Sequence, residues 1–281
     1  MLDAVMPYLR CPYCAGDLDR EGGVVRCTDA HAFDIARQGY VNLLGAQPAV
    51  GTGDGPDMVA ARERFLCAGH YSALADVVAA ACAGGVGDAG PGCVADVGAG
   101  TGYYLRRVVE RLPDRAGLAL DLSRYALRRA ARAHPRIGAV ACDVWQSLPV
   151  RGGAVVAALG VFAPRNGAEI RRVLAPGGVL VVVTPTARHL VELVEPLGML
   201  TVDARKDERL RMHLGPHLAA GARTTVEMAL TLDRDAVTDL VTMSPTAWHT
   251  PAEVTVRRVA ALSQPISVTA SFVVSVFHGG R

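Results

Sequence analysis

From position 93 onward, short and mainly apolar runs alternate with stretches whose apolar positions recur every three or four residues. The mainly apolar runs at 93–97, 118–121, 139–142, 154–161 and 179–184 predict strands, and the amphipathic stretches at 103–112, 125–133 and 168–174 predict helices. Strands apolar on both faces and separated by helices form a parallel sheet covered on both sides. The tail predicts helices at 206–214, 235–243 and 251–262 and a strand at 224–232. A final alternating strand at 266–277 reads as an antiparallel addition. The expected class is α/β with a Rossmann-like sheet.

Upstream, Leu66, Tyr71, Leu74, Val77 and Val78 form an apolar helical stripe, with Asp57 as the expected cap and Gly69 as a break. Residues 47–56 are Gly/Pro-rich and read as a linker, and 84–92 reads as a second flexible stretch. The expected organisation is a small N-terminal unit at 1–45, a linker and helix at 46–92, and the large sheet domain at 93–281.

The first unit carries its own chemistry. Cys11-Pro-Tyr-Cys14 is followed, after 12 residues, by Cys27 and, four positions on, by His31. Two ligand pairs presented by short loops and joined by a hairpin suit tetrahedral zinc, and Gly22-Gly23 supplies the hairpin turn. Four protein donors make a closed, structural zinc site. The other cysteines, Cys67, Cys82, Cys93 and Cys142, are scattered singly and read as small apolar side chains. Seven cysteines in all do not form a disulfide framework.

Composition narrows the class. Of 281 residues, 51% are hydrophobic and 20% charged, which excludes a disordered chain. The formal net charge is only +2, so no global field announces a nucleic acid. No apolar run approaches the ~18 residues of a membrane span, and the N-terminus lacks a basic segment ahead of an apolar one. A cytoplasmic protein with no membrane partner is the expectation.

The sharpest motif is Val94-Ala-Asp96-Val-Gly98-Ala-Gly100-Thr101-Gly102-Tyr, an apolar strand ending in a glycine turn that opens a helix. Such a turn brings backbone N–H groups close to a ligand. Dinucleotide folds share the device, but three details depart from them. The spacing is G-x-G-x-G, an acid precedes the first glycine, and two more acids, Asp121 and Asp143, end the next two strands. Asp121 is placed to take both ribose hydroxyls, and Asp143 to accept from an adenine amine. A row of acids suits a cationic, phosphate-free ligand, S-adenosylmethionine (SAM).

At this point the chain resembles the bacterial 23S rRNA (guanine-N1)-methyltransferases of the RlmA type, over nearly its whole length. The resemblance rests on the segment from His31 to Leu44, on Ala68-Gly-His-Tyr71, on Val161-Phe-Ala-Pro164, on Pro185 to Leu190, and on Met243-Ser-Pro-Thr-Ala-Trp248. Within the family, Phe162-Ala-Pro-Arg165-Asn166 and the C-terminal segments look most like the tylosin-resistance type of macrolide producers. The resemblance implies a SAM-dependent methyltransferase sheet and N1 methylation of guanine 748 in a hairpin near the peptide exit tunnel. It further implies zinc at Cys11, Cys14, Cys27 and His31, and SAM contacts from Tyr71, Gly100, Thr101 and His189. A homodimer is a candidate assembly.

N1 lies on the Watson–Crick edge, so the base must be unpaired, and its proton must leave as the methyl arrives. The loop with Arg165 and Asn166 lies where related enzymes receive the base. Asn166 is read as a partner for the guanine edge or as a helix cap, Arg165 as a phosphate contact or loop surface, and Trp248 as a stacking platform or a packed side chain. Water, Asp143 and a substrate carbonyl are all open as proton acceptor. Between 101 and 140, nine arginines face three acids, and Arg124, Arg128 and Arg132 repeat on one helical face, as a phosphate track or a solvated surface. Two other functions compete: methylation of a small molecule, and a non-catalytic zinc- and SAM-binding module. The zinc knuckle favours RNA.

Overall fold

The computed structural model describes residues 1–45, 53–87, 89–203 and 205–279. Most of the expected linker at 47–56 therefore lies outside the described residues. Three short antiparallel strands, β1 (Leu18–Glu21), β2 (Val24–Cys27) and β3 (Ala32–Asp34), form a small sheet. Gly22, at φ +64°, turns β1 into β2 as the Gly-Gly pair predicts. Next come β4 (Tyr40–Asn42), α1 (Pro56–Cys67) and α2 (Ser72–Val86). The alternating core follows: β5 (Cys93–Val97), α3 (Tyr103–Arg111), β6 (Gly117–Asp121), α4 (Arg124–Ala133), β7 (Ile137–Ala141), β8 (Val155–Val161), α5 (Gly167–Val173) and β9 (Leu174–Pro185). The tail holds α6 (Val191–Leu197), α7 (Lys206–Leu214), β10 (Leu218–Leu232), α8 (Arg234–Thr242), α9 (Ala252–Ala260) and β11 (Ile266–Gly279).

The large sheet has eight strands in the order β10-β11-β9-β8-β5-β6-β7-β4. Strands β9 to β4 run parallel, and β10 and β11 are antiparallel. Every residue of β5, β7 and β8 is buried, as strands covered on both faces must be. The chain order reverses between β5 and β8, and the crevice outside their carboxyl ends is where open α/β sheets bind ligands.

Two expectations are corrected, and one strand is added that the sequence did not announce. Asp57 does not cap α1: Gly55 occupies the cap position, Pro56 the first turn, and no side chain caps it. The 84–92 stretch is not flexible throughout, because α2 continues to Val86. A Cβ at Gly85 would lie 2.6 Å from Val179 Cγ2, so this glycine allows α2 to approach β9. Finally, β4 joins the large sheet by pairing with β7, and Leu2, Val5 and Leu9 share one buried core with Leu118 and Val140. The first 45 residues thus pack onto the large sheet. Gly69, at φ +85°, does end the first helix, and α1 and α2 meet at 87°. No single helix among the described residues is long and apolar enough to cross a membrane.

Candidate functional site

A cavity of about 620 Å³ opens at the carboxyl ends of β5, β6 and β8. Its floor is the glycine turn. Gly98, Gly100 and Gly102 all hold positive φ, at 84°, 54° and 80°. At Gly98 a Cβ would also lie 2.5 Å from Ala163 Cβ, so only glycine lets the loop after β8 close over the turn. The turn leaves room for a ligand against the backbone.

Three acids meet at this floor, each held differently. Asp96 is buried, and among the described residues neither of its carboxylate oxygens has a hydrogen-bond partner. Burial, reinforced by the charge of Asp121, pushes its pKa up to about 7. Asp121 accepts from Gly100 N at 2.7 Å and from Ser123 N at 2.8 Å. Its pKa is raised by burial, with those two backbone bonds pulling the other way. Asp143 is buried and accepts from Trp145 N at 2.9 Å.

The walls add further polar groups. Tyr71 and Tyr104 are buried, and their hydroxyls find no partner among the described residues. Burial raises both pKa values, so both stay protonated donors. His189 accepts at Nδ1 from Ser271 N at 3.3 Å and packs on Phe272, 4.6 Å between ring centroids. Arg62 of α1 pairs with Asp54, donates to Met243 O at 3.0 Å, and reaches to 3.7 Å from a Cβ built on Gly100. At the rim, Trp145, Phe162 and Trp248 are about half exposed, at 46%, 45% and 51%.

These groups fit SAM. The unpartnered Asp96 carboxylate suits a cation, Arg62 suits a carboxylate, and the acids at the next strand tips suit hydroxyls and an amine. The cofactor's sulfonium supplies an electrophilic methyl group when bound.

A second constellation lies in the N-terminal unit. One ligand atom from each of Cys11, Cys14, Cys27 and His31 falls within 4.8 Å of every other. His31 Nδ1 is 3.2 Å from Cys27 Sγ and 3.6 Å from Cys11 Sγ, and Cys14 Sγ is 3.6 Å from Cys27 Sγ. Donors around tetrahedral zinc at about 2.0–2.3 Å sit ~3.5–3.8 Å apart, so the four fit that ion and leave no open position. Cys11 and Cys14 flank a turn, with Ala15 N bonded to Cys11 O, and Cys27 N bonded to His31 O closes the second loop. Tyr13 stacks on His31 at 5.0 Å and shields it.

The comparisons with known proteins follow this division. Residues 9–49 match the zinc-ribbon family described as RlmA, N-terminal, and residues 94–178 match a methyltransferase domain. A Streptomyces fradiae protein named 23S rRNA (guanine(748)-N(1))-methyltransferase is 47% identical over 272 residues, covering 97% of both chains. A Micromonospora griseorubida protein assigned to 23S rRNA guanine-N1 methylation is 50% identical, covering 95% of this chain and 96% of its own. The chain belongs to the 23S rRNA (guanine-N1)-methyltransferases. It is a SAM-dependent enzyme with a zinc ribbon.

In this methyltransferase the cavity gathers Tyr71, Asp96, Gly98, Gly100, Thr101, Asp121, Asp143 and His189. Gly102 stands behind it at the start of α3, where a Cβ would meet Ala130 Cα at 3.1 Å. Of the three base-contact candidates, only Trp248 lines the cavity. Asn166 caps α5, accepting from Glu169 N at 3.3 Å and donating to Trp145 O at 3.2 Å. The cap is one of the two roles expected for Asn166, and its amide keeps a second N–H and a second lone pair beyond these two bonds. Arg165 is half-buried and does not line the cavity, its guanidinium pKa is lowered by burial, and among the described residues its Nε is buried without an acceptor. Sequence reasoning missed Arg62 and Trp145, and named Phe162 only as part of the loop that receives the base. A positive φ at Phe162, +55°, marks it only once the backbone is known.

Proposed function

We propose that this enzyme methylates N1 of guanine 748 in a hairpin of 23S rRNA near the peptide exit tunnel, and so protects the ribosome against tylosin-like macrolides. The observation that carries the proposal is the near-full-length identity to the Streptomyces fradiae guanine-748 enzyme, spanning both the zinc ribbon and the cavity.

In this reading Asp96 takes the amino group of SAM, Arg62 its carboxylate, Asp121 the ribose and Asp143 the adenine amine. Tyr71 and His189 complete the wall, and Gly98, Gly100, Thr101 and Gly102 form or support the floor. Cys11, Cys14, Cys27 and His31 hold zinc, and residues 1–45 contribute shape to RNA recognition, since their four arginines against six acids give no electrostatic grip. Residues 46–92 connect them to the methyltransferase domain at 93–281.

The target guanine must leave its stack to present N1. Trp145, Phe162 and Trp248 offer aromatic faces at the rim where an unstacked base is received. Aligning N1 with the methyl group is the main catalytic task of the chain, because a well-oriented pair reacts without the entropy loss of encounter.

The test is primer extension across the exit-tunnel hairpin after incubation of unmodified 23S rRNA with enzyme and SAM. A methyl on N1 blocks pairing, so a stop is expected at guanine 748. A stop at another guanine corrects the position, and no stop anywhere overturns the reading.

A further inference from the structure

Resting on that RNA reading, we propose that a second cleft, behind the glycine turn, binds backbone phosphates of the substrate hairpin. The cleft measures about 500 Å³ and is walled by Arg106 of α3 and by Arg128, Arg129 and Arg132 of α4, with Glu63 of α1 opposite. Four guanidiniums thus face one carboxylate.

The arginines are there because of how α4 packs. Ala126, Leu127, Ala130 and Ala131 are buried beneath it, which leaves Arg128 and Arg132, one turn apart, on the uncovered side. Two of the four cations are already answered. Arg129 Nε donates to Glu63 at 2.8 Å, and Arg106 Nε to Glu110 at 2.8 Å. The other two are not. Among the described residues neither Arg128 nor Arg132 has an ion pair, and Arg128 Nε is buried without an acceptor. The Arg128 guanidinium lies 5.5 Å from the centroid of the Tyr125 ring, which orients its planar fork.

A buried N–H without an acceptor lacks a partner that a phosphate oxygen supplies, and the guanidinium fork matches phosphate geometry. One free phosphate would satisfy one fork. Arg128 and Arg132, the two without an ion pair and one turn apart on α4, suit successive phosphates of a chain. Position points the same way: Leu66, Thr101 and Tyr103 line both this cleft and the SAM cavity, and Gln38 of the N-terminal unit lines the cleft too. A strand seated here runs from beside the zinc ribbon toward the cavity that takes the base.

The experiment uses the full-length enzyme and a fluorescent 23S hairpin. The double variant Arg128→Gln/Arg132→Gln should weaken hairpin binding at least ~10-fold and reduce the slope of log K against log salt by ~1.4–1.8. SAM affinity should not change. Arg257→Gln, an exposed arginine on α9 lining neither hollow, should leave both hairpin affinity and slope at wild-type values. A readout without mutation uses Cys67, which is exposed and lines the cleft while Cys82, Cys93 and Cys142 are buried. Saturating hairpin should slow maleimide labelling of Cys67 several-fold, and SAM alone should not. Wild-type affinity and slope in the double variant, or unchanged Cys67 labelling, overturns the cleft while leaving methylation by the wild type intact. Protection of Cys67 by inorganic phosphate alone makes it a small-anion site and also overturns it. If the wild type methylates no 23S hairpin, the RNA reading fails first and the cleft proposal with it.

Discussion

The backbone N–H of Gly100 donates to Asp121 Oδ2 at 2.7 Å, tying the glycine turn to the tip of the neighbouring strand. The same carboxylate accepts from Ser123 N, where α4 begins. One side chain therefore shapes the floor of the cavity and also faces the ligand. Hydrogen bonds to a charged group contribute about 1.5–3 kcal/mol each. Asp121→Ala removes the turn contact and the ribose contact together, and should raise the SAM Kd about 100-fold. Asp121→Asn keeps one acceptor oxygen and should cost about 10-fold. Isothermal titration calorimetry reads both, and an unchanged Kd in the alanine variant would remove Asp121 from the site.

Asp96 makes SAM binding depend on pH. In the free enzyme burial holds its pKa up at about 7, so below that pH the group is mostly neutral. An ammonium partner needs the carboxylate, so binding below pH 7 must expel a proton. Affinity should fall about tenfold per unit below pH 7, and should fall again above about pH 8, where the α-ammonium of SAM itself loses its proton. Titrations in two buffers of different ionisation enthalpy should show proton release at pH 6. For stability the sign is reversed: the unfolded chain ionises this group first, so the free protein loses stability as pH rises from the ordinary carboxylate range to about 7, and the loss then levels off. Bound SAM should cancel that loss. Asp96→Asn should bind weakly with no slope below pH 7, and a wild-type affinity that is flat down to pH 5.5 would refute the assignment.

Much of this was legible in the sequence, for local reasons. The parallel strands announce themselves because both faces of β5, β7 and β8 are buried, which makes their sequences apolar but for Asp96. The convergence of Asp96, Asp121 and Asp143 follows from each lying at or just past the carboxyl end of a strand of one sheet. The zinc ligands lie within 21 consecutive positions, so spacing alone implies proximity. What the sequence hid is non-local. Three residues, β4, carry too little pattern to declare a strand, and their partner β7 is nearly 100 residues away. Arg62 reads as an ordinary helix charge until Gly100 is placed beside it. Gly85 reads as a helix breaker, since its reason is the nearness of Val179. The cap at Asn166 depends on where the Glu169 N–H and the Trp145 carbonyl lie, which the sequence does not place.

The zinc ribbon should behave as a structural element. Its sulfur and nitrogen donors crowd together, and its apolar residues share a core with β7. Metal analysis should find one zinc per chain, and Cys14→Ser should lose it. Because structural zinc binding is coupled to folding, the variant or chelator-treated enzyme should melt several degrees lower. SAM affinity should hold to within about threefold, since no described residue of 1–45 lines the cavity and distant sites act independently. Loss of SAM binding in step with zinc would show instead that the ribbon shapes the cavity.

Phe162 offers a sharper separation of substrate from cofactor. It sits at φ +55°, a left-handed conformation that strains a bulky side chain by about 1–2 kcal/mol, yet its ring is half exposed at the cavity rim. The ring leans on Phe272 at 5.3 Å between centroids rather than filling the core. Glycine would relieve the backbone while losing that partial packing, and the two effects are similar in size. Phe162→Gly should therefore melt within a few degrees of wild type. A base stacked on an aromatic side chain gains about 1–3 kcal/mol, so the variant should lose roughly 10- to 100-fold in kcat/KM for the hairpin. SAM affinity should stay close to wild type, and Phe162→Tyr should restore most of the rate. A marked fall in stability without a kinetic loss would mean that the strained backbone serves the fold rather than the base.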